Sequence, residues 1–193
     1  MADDHLLAKA KAARRMACRE AVAAMSTKER AAASNSICSQ LLELLDVVKP
    51  EIVMGYMPLE DEPDILPVLQ EVLDRGSVLC LPRITGPGTM SATPVASLQQ
   101  GDLVKGTHGI RTPAGDESLS PAALDMILVP GIGFDAECNR LGRGGGYYDR
   151  FLEGVNGTAL MVGCCFSCQL VDSIETGPGD VRLSKIIMSS TDN

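Results

Sequence analysis

Histidine is almost absent from the 193 residues: only His5 and His108 occur, so no histidine-rich metal cluster can form. Cysteine is present seven times, an odd number with Cys164 and Cys165 adjacent. That count gives no disulfide framework and suits a reducing compartment. Cys165 and Cys168 have the spacing of a thiol pair, but no second pair stands at zinc spacing, and their apolar surroundings read as buried thiols. No run approaches the ~18 consecutive apolar residues of a membrane span, and the first residues lack a secretory apolar core. Asp3, Asp4 and Glu20 argue against a transit peptide, which leaves the cytosol as the expected location. Cationic excess is missing too. A formal net charge of -8 disfavours nucleic acid as a partner, because binding to its backbone requires a basic surface. There is no internal repeat, and the length suits one globular domain over 1–193.

What is present concentrates in one stretch. Met126 to Val129 is an apolar run closed by Pro130-Gly131, which reads as a buried strand ending at a loop. Gly142, Gly144, Gly145 and Gly146 follow closely. They leave backbone N–H groups free to approach an anion and permit backbone angles closed to other residues. Arg140 and Arg143 add paired donors suited to phosphate or carboxylate, and Tyr147 and Tyr148 add flat faces and hydroxyls. Asp149 beside a phosphate site would be repelled unless a divalent cation lay between them, so the loop predicts a Mg²⁺ site. By composition alone the segment also fits a flexible glycine turn with two solvated arginines. No Gly-Lys-Ser/Thr follows, and the glycine spacing does not fit a dinucleotide fingerprint.

The sequence Pro130-Gly131-Ile132-Gly133-Phe134-Asp135, followed by Asn139-Arg140-Leu141-Gly142-Arg143-Gly144-Gly145-Gly146-Tyr147-Tyr148-Asp149-Arg150-Phe151-Leu152, resembles the signature of the 5-formyltetrahydrofolate cyclo-ligase family, also called methenyltetrahydrofolate synthetases. The resemblance extends from Lys11 to about Ile187.

Elsewhere, residues 6–24 favour helix, and Ser26-Thr27-Lys28-Glu29 has the form of a capping box, so a second helix is expected from Thr27 to about Leu45. The two make a helical hairpin. Lys11 and Arg15 share one face of the first helix, which by itself marks only a solvated basic patch. A strand over Ile52–Met57, an acidic loop, a helix over Ile65–Leu73 and a strand over Val78–Leu81 form a β-α-β unit with parallel strands. Residues 84–124 are expected to hold a hairpin and long loops. Further strands are expected over Thr158–Phe166 and Leu183–Met188, with Val171–Ile174 in a short helical turn. The expected class is α/β with three layers and a mostly parallel sheet. In the family this architecture is similar to sugar-phosphate isomerases and CoA-transferases.

The resemblance implies an enzyme that uses ATP and Mg²⁺ to close 5-formyltetrahydrofolate to 5,10-methenyltetrahydrofolate, releasing ADP and phosphate, and a monomer is expected. It assigns Lys11, Arg15 and the run Arg140, Leu141, Gly142, Arg143, Gly144, Gly145, Gly146, Tyr147 and Tyr148 to ATP. Asp149 and Asp180 fall to the metal. Folate would meet Tyr56, Glu62, His108, Arg143, Gly144, Gly145, Gly146 and Tyr147, with Arg143 and Tyr147 catalytic between the two substrates. Glu62 corresponds to a family carboxylate that bonds the polar edge of the folate ring, whereas Glu60 and Asp61 are expected to be solvated. The chain departs from the family at His108, where an aromatic residue is usual, and at Gly179, where histidine is common. Two rivals remain: a non-catalytic nucleotide- or folate-binding relative, and an isomerase or transferase of the same fold.

Overall fold

The structure, a computed structural model, describes residues 2–106 and 110–189. Helix α1 (Ala2–Ala24) starts earlier than expected, since neither glycine nor proline interrupts the residues before Leu6. Helix α2 (Thr27–Val48) opens on the capping box: Ser26 Oγ accepts from the Glu29 amide at 3.2 Å, and the Ser26 amide donates to Glu29 Oε2 at 2.7 Å. It outlasts the expected end at Leu45 because the first residue unable to continue is Pro50, reached through Lys49 in a left-handed conformation at φ 49.

The first crossover joins strand β1 (Ile52–Met54) through helix α3 (Leu66–Asp74) to strand β2 (Val78–Gly86), with β1 and β2 parallel. β1 stops short of the expected Met57. At Gly55 the Leu69 side chain fills the space a Cβ would need, and Pro58 then has no amide to offer a ladder. β2 instead runs beyond Leu81, because it forms a hairpin with strand β3 (Thr89–Val95). A second hairpin pairs β4 (Leu103–Lys105) with β5 (Arg111–Pro113), and Thr112 Oγ1 donates to the Pro82 carbonyl at 3.2 Å, which ties this hairpin to β2.

Strand β6 (Met126–Val129) is buried throughout. After it come β7 (Gly133–Asp135), β8 (Arg140–Leu141), helix α4 (Tyr147–Leu152), β9 (Leu160–Cys165), β10 (Leu170–Val171) and β11 (Lys185–Met188). The main sheet has six strands in the order β11-β9-β6-β1-β2-β3, all parallel except the β2–β3 pair. A small sheet of order β10-β7-β8 stands beside it. The expected helical turn over Val171–Ile174 is therefore corrected. The turn lies at Ser167–Gln169, closed by the Phe166 amide on Gln169 Oε1 at 2.8 Å, and Val171 pairs with Asp135 instead.

Alternation along the strands builds two cores, one on each face of the main sheet. Val53, Met126 and Leu128 face Ile37, Leu41, Val68 and Leu69 from α2 and α3. Met54, Ile127 and Val129 face Phe134, Phe151 and Leu152. The result is the three-layer α/β arrangement. Chain connections leave β1 toward β2 on one side and β6 toward β9 on the other, so the ends of β1 and β6 flank a switch point. In open α/β sheets, ligands bind at such crevices beyond the strands' carboxyl ends.

Candidate active site

Beyond β1 and β6 lies a cavity of about 800 Å³ whose wall includes Tyr56, Glu62, Arg140, Arg143, Gly145, Gly146, Tyr147, Tyr148 and Asp149. The segment from β8 into α4 forms its floor. Arg140 is buried and committed: its Nη1 donates to the Pro130 carbonyl at 3.3 Å, and its Nη2 to Asp149 Oδ1 at 2.6 Å. The guanidinium stands 5.5 Å from the centre of the Tyr148 ring. Its Nε is buried without a partner among the described residues, as is the Tyr148 hydroxyl. Burial pushes the Tyr148 phenol far up, so it stays protonated. Leu141 is buried and outside the cavity wall, and its carbonyl accepts from the Ile132 amide at 2.8 Å.

Gly144 and Gly146 have φ of +100 and +65, left-handed angles that glycine supplies without a Cβ penalty. The loop they shape receives α1. Arg15 Nε donates to the Gly142 carbonyl at 2.8 Å, and its guanidinium lies under 4 Å from where a Cβ at Gly144 would stand. One turn away, Lys11 Nζ is 2.5 Å from Asp180 Oδ2, which also accepts from the Gly177 amide at 2.7 Å. Desolvation lowers the Arg15 pKa first, followed by repulsion from Arg19, while Asp180 and Asp149 act to raise it. Lys11, Arg15, Asp149 and Asp180 thus form one cluster, although neither Lys11 nor Arg15 lines the cavity itself.

On the β1 side, Glu62 is only 7% exposed. Its carboxylate accepts from the Leu59 amide at 3.1 Å and from Arg143 Nη2 at 2.8 Å. Burial raises its pKa, opposed by the Arg143 charge. Arg143 also reaches Asp61 Oδ1 at 2.5 Å, so Asp61, expected to be solvated, is an ion-pair partner instead. Glu60 is exposed, as expected. Tyr56 is buried with its hydroxyl 3.4 Å from the Pro63 carbonyl. His108 lies outside the described residues.

Three supports of this site have no role assigned from the sequence, although Asp135 and Arg150 stand in the signature and the glutamine at position 169 matches the family. Asp135, 2% exposed, accepts from the amides of Glu137, Asn139 and Ile174 and from the Asn139 side chain. Gln169 donates to the Gly131 and Ile132 carbonyls at 3.3 and 3.0 Å, fixing the turn after β6. Arg150 clamps the glycine loop to the β2–β3 hairpin through the Gly145 and Gly88 carbonyls. An Asp followed shortly by Asn is a local turn signal that points to Asp135, but nothing in the sequence points to the contacts of Arg150.

Fold and site define an α/β enzyme with a basic glycine loop and a buried carboxylate facing one cavity at a switch point. The chain belongs to the 5-formyltetrahydrofolate cyclo-ligase family, whose model matches residues 8–189. The 5-formyltetrahydrofolate cyclo-ligase of Mycolicibacterium smegmatis is 30% identical over 141 residues, covering 70% of this chain and 72% of that protein. The solved 5,10-methenyltetrahydrofolate synthetase of Aquifex aeolicus is 33% identical with a TM-score of 0.80, covering 92% of this chain and 88% of that one. The Mycoplasma pneumoniae synthetase, 22% identical with a TM-score of 0.76, shares the fold. The chain is accordingly a 5-formyltetrahydrofolate cyclo-ligase acting in folate metabolism. Among the described residues, no helix is long and apolar enough to cross a membrane.

Proposed function

We propose that the enzyme couples ATP hydrolysis to ring closure of 5-formyltetrahydrofolate, with the glycine loop and α1 receiving the nucleotide and the Glu62 pocket receiving the folate ring. One observation carries this reading: Arg143 stands between the two halves, on the glycine loop by sequence and on Glu62 by its hydrogen bonds.

The formyl oxygen of the substrate is a poor leaving group. In the proposed reaction it attacks the γ-phosphorus of ATP and ADP departs. N10 then adds to the activated formyl carbon, phosphate leaves with the C–O bonding electrons, and N10 loses its proton. The products are 5,10-methenyltetrahydrofolate, ADP and phosphate. Protein groups position and neutralise, as phosphoryl transfer requires. Arg140 supplies a fixed charge beneath the loop. Arg15 and Lys11 hold phosphates from the α1 side, and the backbone amides of the glycine loop are the further donors to them. Glu62 accepts from the N–H edge of the folate ring while Asp61 keeps Arg143 anchored. Tyr147 covers the reacting groups from the start of α4.

The donor set suits a nucleotide-borne cation. Among the described residues no three His, Cys, Asp or Glu side chains gather as a metal cage, whereas Asp149 and Asp180 flank the loop singly. Mg²⁺ held by one or two carboxylates and phosphate oxygens is the common arrangement in nucleotide sites. Asp149 and Asp180 would be its protein ligands, and the ion would neutralise charge on the phosphates. The reading includes a cytosolic monomer, in keeping with cysteines that are all unpaired.

The test is the absorbance of methenyltetrahydrofolate formed with and without ATP and with and without Mg²⁺. Product is expected only when both are present, and product formation indifferent to ATP would overturn the proposal.

A further inference from the structure

Four cationic side chains belong to the residues of the cavity wall: Arg83, Lys105, Arg140 and Arg143. Two of them are committed, Arg140 to Asp149 and Arg143 to Glu62 and Asp61. Arg83 and Lys105 have no side-chain partner among the described residues. In a chain of net charge -8, two uncommitted cations at one cavity mark a place for an anion.

Their position tells which anion. Arg83 lies on β2 and Lys105 on β4, and the Thr112 bond to Pro82 brings these two elements together. This is the β2 side of the β1 loop. The proposed phosphate cluster of Lys11 and Arg15 lies on the other side, where α1 packs on β7 and the Ser167–Gln169 turn. Beside the two cations the wall is apolar: Ile84, Val104 and Ile110 contribute to it, and Ile84 and Val104 are 42% and 48% exposed. An apolar stretch ending at two cations fits a ligand whose flat hydrocarbon segment ends in carboxylates. The substrate has that form beyond its ring, where an aminobenzoyl group carries glutamate.

We infer that Arg83 and Lys105 are specificity-determining residues that bind the glutamate carboxylates of the folate substrate while Ile84, Val104 and Ile110 cover its aminobenzoyl group. The inference rests on the proposed placement of the folate ring at Glu62. The guanidinium can take one carboxylate by two parallel bonds, and the ammonium, on its longer flexible stem, can follow the second or the next residue of a longer glutamate chain.

The test compares two substrates in the wild type, Arg83→Ala/Lys105→Ala and Arg83→Lys/Lys105→Arg. One substrate is 5-formyltetrahydrofolate. The other has the same ring and aminobenzoyl group but ends in an uncharged methylamide. In the alanine variant the KM for the natural substrate should rise about tenfold or more, the scale of one charge-assisted hydrogen bond. The KM for the methylamide, the KM for ATP and kcat should stay within about twofold of wild type. The charge-keeping variant should recover most of the loss, and both variants should melt near the wild-type temperature. Equal effects on both substrates, no effect on either, or a rise confined to the KM for ATP would each overturn the inference. A wild type that turns over both substrates normally but does not distinguish them overturns the inference alone. A wild type inactive on both overturns the functional reading as well.

Discussion

Burial raises the pKa of the Glu62 carboxyl, and the Arg143 charge brings it only part of the way back. For a group whose folded pKa exceeds its unfolded one, the stabilising contribution is complete below the unfolded value and disappears as pH rises through the folded value. Ionised Glu62 therefore weighs against the free fold at neutral pH. Glu62→Gln is expected to melt at least as high as wild type at pH 7, while its KM for the folate rises about tenfold or more, measured by thermal unfolding beside the absorbance assay. Lower stability with an unchanged KM would show a purely structural carboxylate. Asp149 is held instead by an ion pair with Arg140. Its partner Arg140 has a side chain only 4% exposed, so Asp149→Asn leaves a buried charge unpaired. That variant should lose roughly 1–3 kcal/mol in denaturant unfolding and need more Mg²⁺ for half-maximal turnover. Wild-type behaviour in both would remove Asp149 from the proposed metal site. Arg143 and Asp149 could be picked out in the sequence because they stand in the glycine-rich run, whereas Glu62 is marked only by the family resemblance. Their ion pairs could not, since Arg143 and Glu62 are 81 positions apart and nothing local encodes the meeting.

Helices and long strands announce themselves through caps, breakers and periodicity. The Ser26 box gave α2 its observed start and the apolar run of β6 gave that strand its limits, while α2 ends three residues beyond its expected limit. The strands of the small β10-β7-β8 sheet are two or three residues long, too short for alternation to show, and glycine, asparagine and aspartate around them read as loop. That sheet holds the glycine loop at one end and Gln169 at the other. Within the loop, Gly144→Val forces a β-branched residue to φ near +100 and should cost about 1–2 kcal/mol of stability. It should also abolish ATP-dependent cyclisation and the thermal stabilisation by Mg-ATP. Retention of both would leave the glycine as a turn former only. On α1, Lys11→Ala with Arg15→Ala should raise the KM for ATP more than that for folate, with little change in helix stability, because alanine is the better helix former. Equal changes in both constants would separate α1 from the nucleotide.

Across the whole molecule, Asp135 links the turn after β7 to the segment before the last strand through its bond from the Ile174 amide at 2.8 Å. Burial acts to raise its pKa, but the bonds from Asn139, Ile174 and Glu137 outweigh it and hold the carboxyl below its ordinary value. With a depressed folded pKa, its stabilising contribution is present above the unfolded value of about 4 and is lost as pH falls through the folded one. Asp135→Asn should therefore be less stable than wild type in urea at pH 7, by about 1–3 kcal/mol, with the gap narrowing below about pH 4. A gap independent of pH would show that the charge is not what matters.

The Lys11–Asp180 pair spans 169 positions and joins the first helix to the loop before the last strand. During synthesis, α1 leaves the ribosome long before Asp180 is translated, so the nascent chain carries the helix for most of its growth without the carboxylate that pairs with Lys11. The proposed nucleotide end of the site is thus among the last parts of the molecule to be assembled. A chain terminated by a nonsense codon shortly before Asp180 would contain Glu62, Arg83 and the glycine loop but lack the carboxylate that orients Lys11.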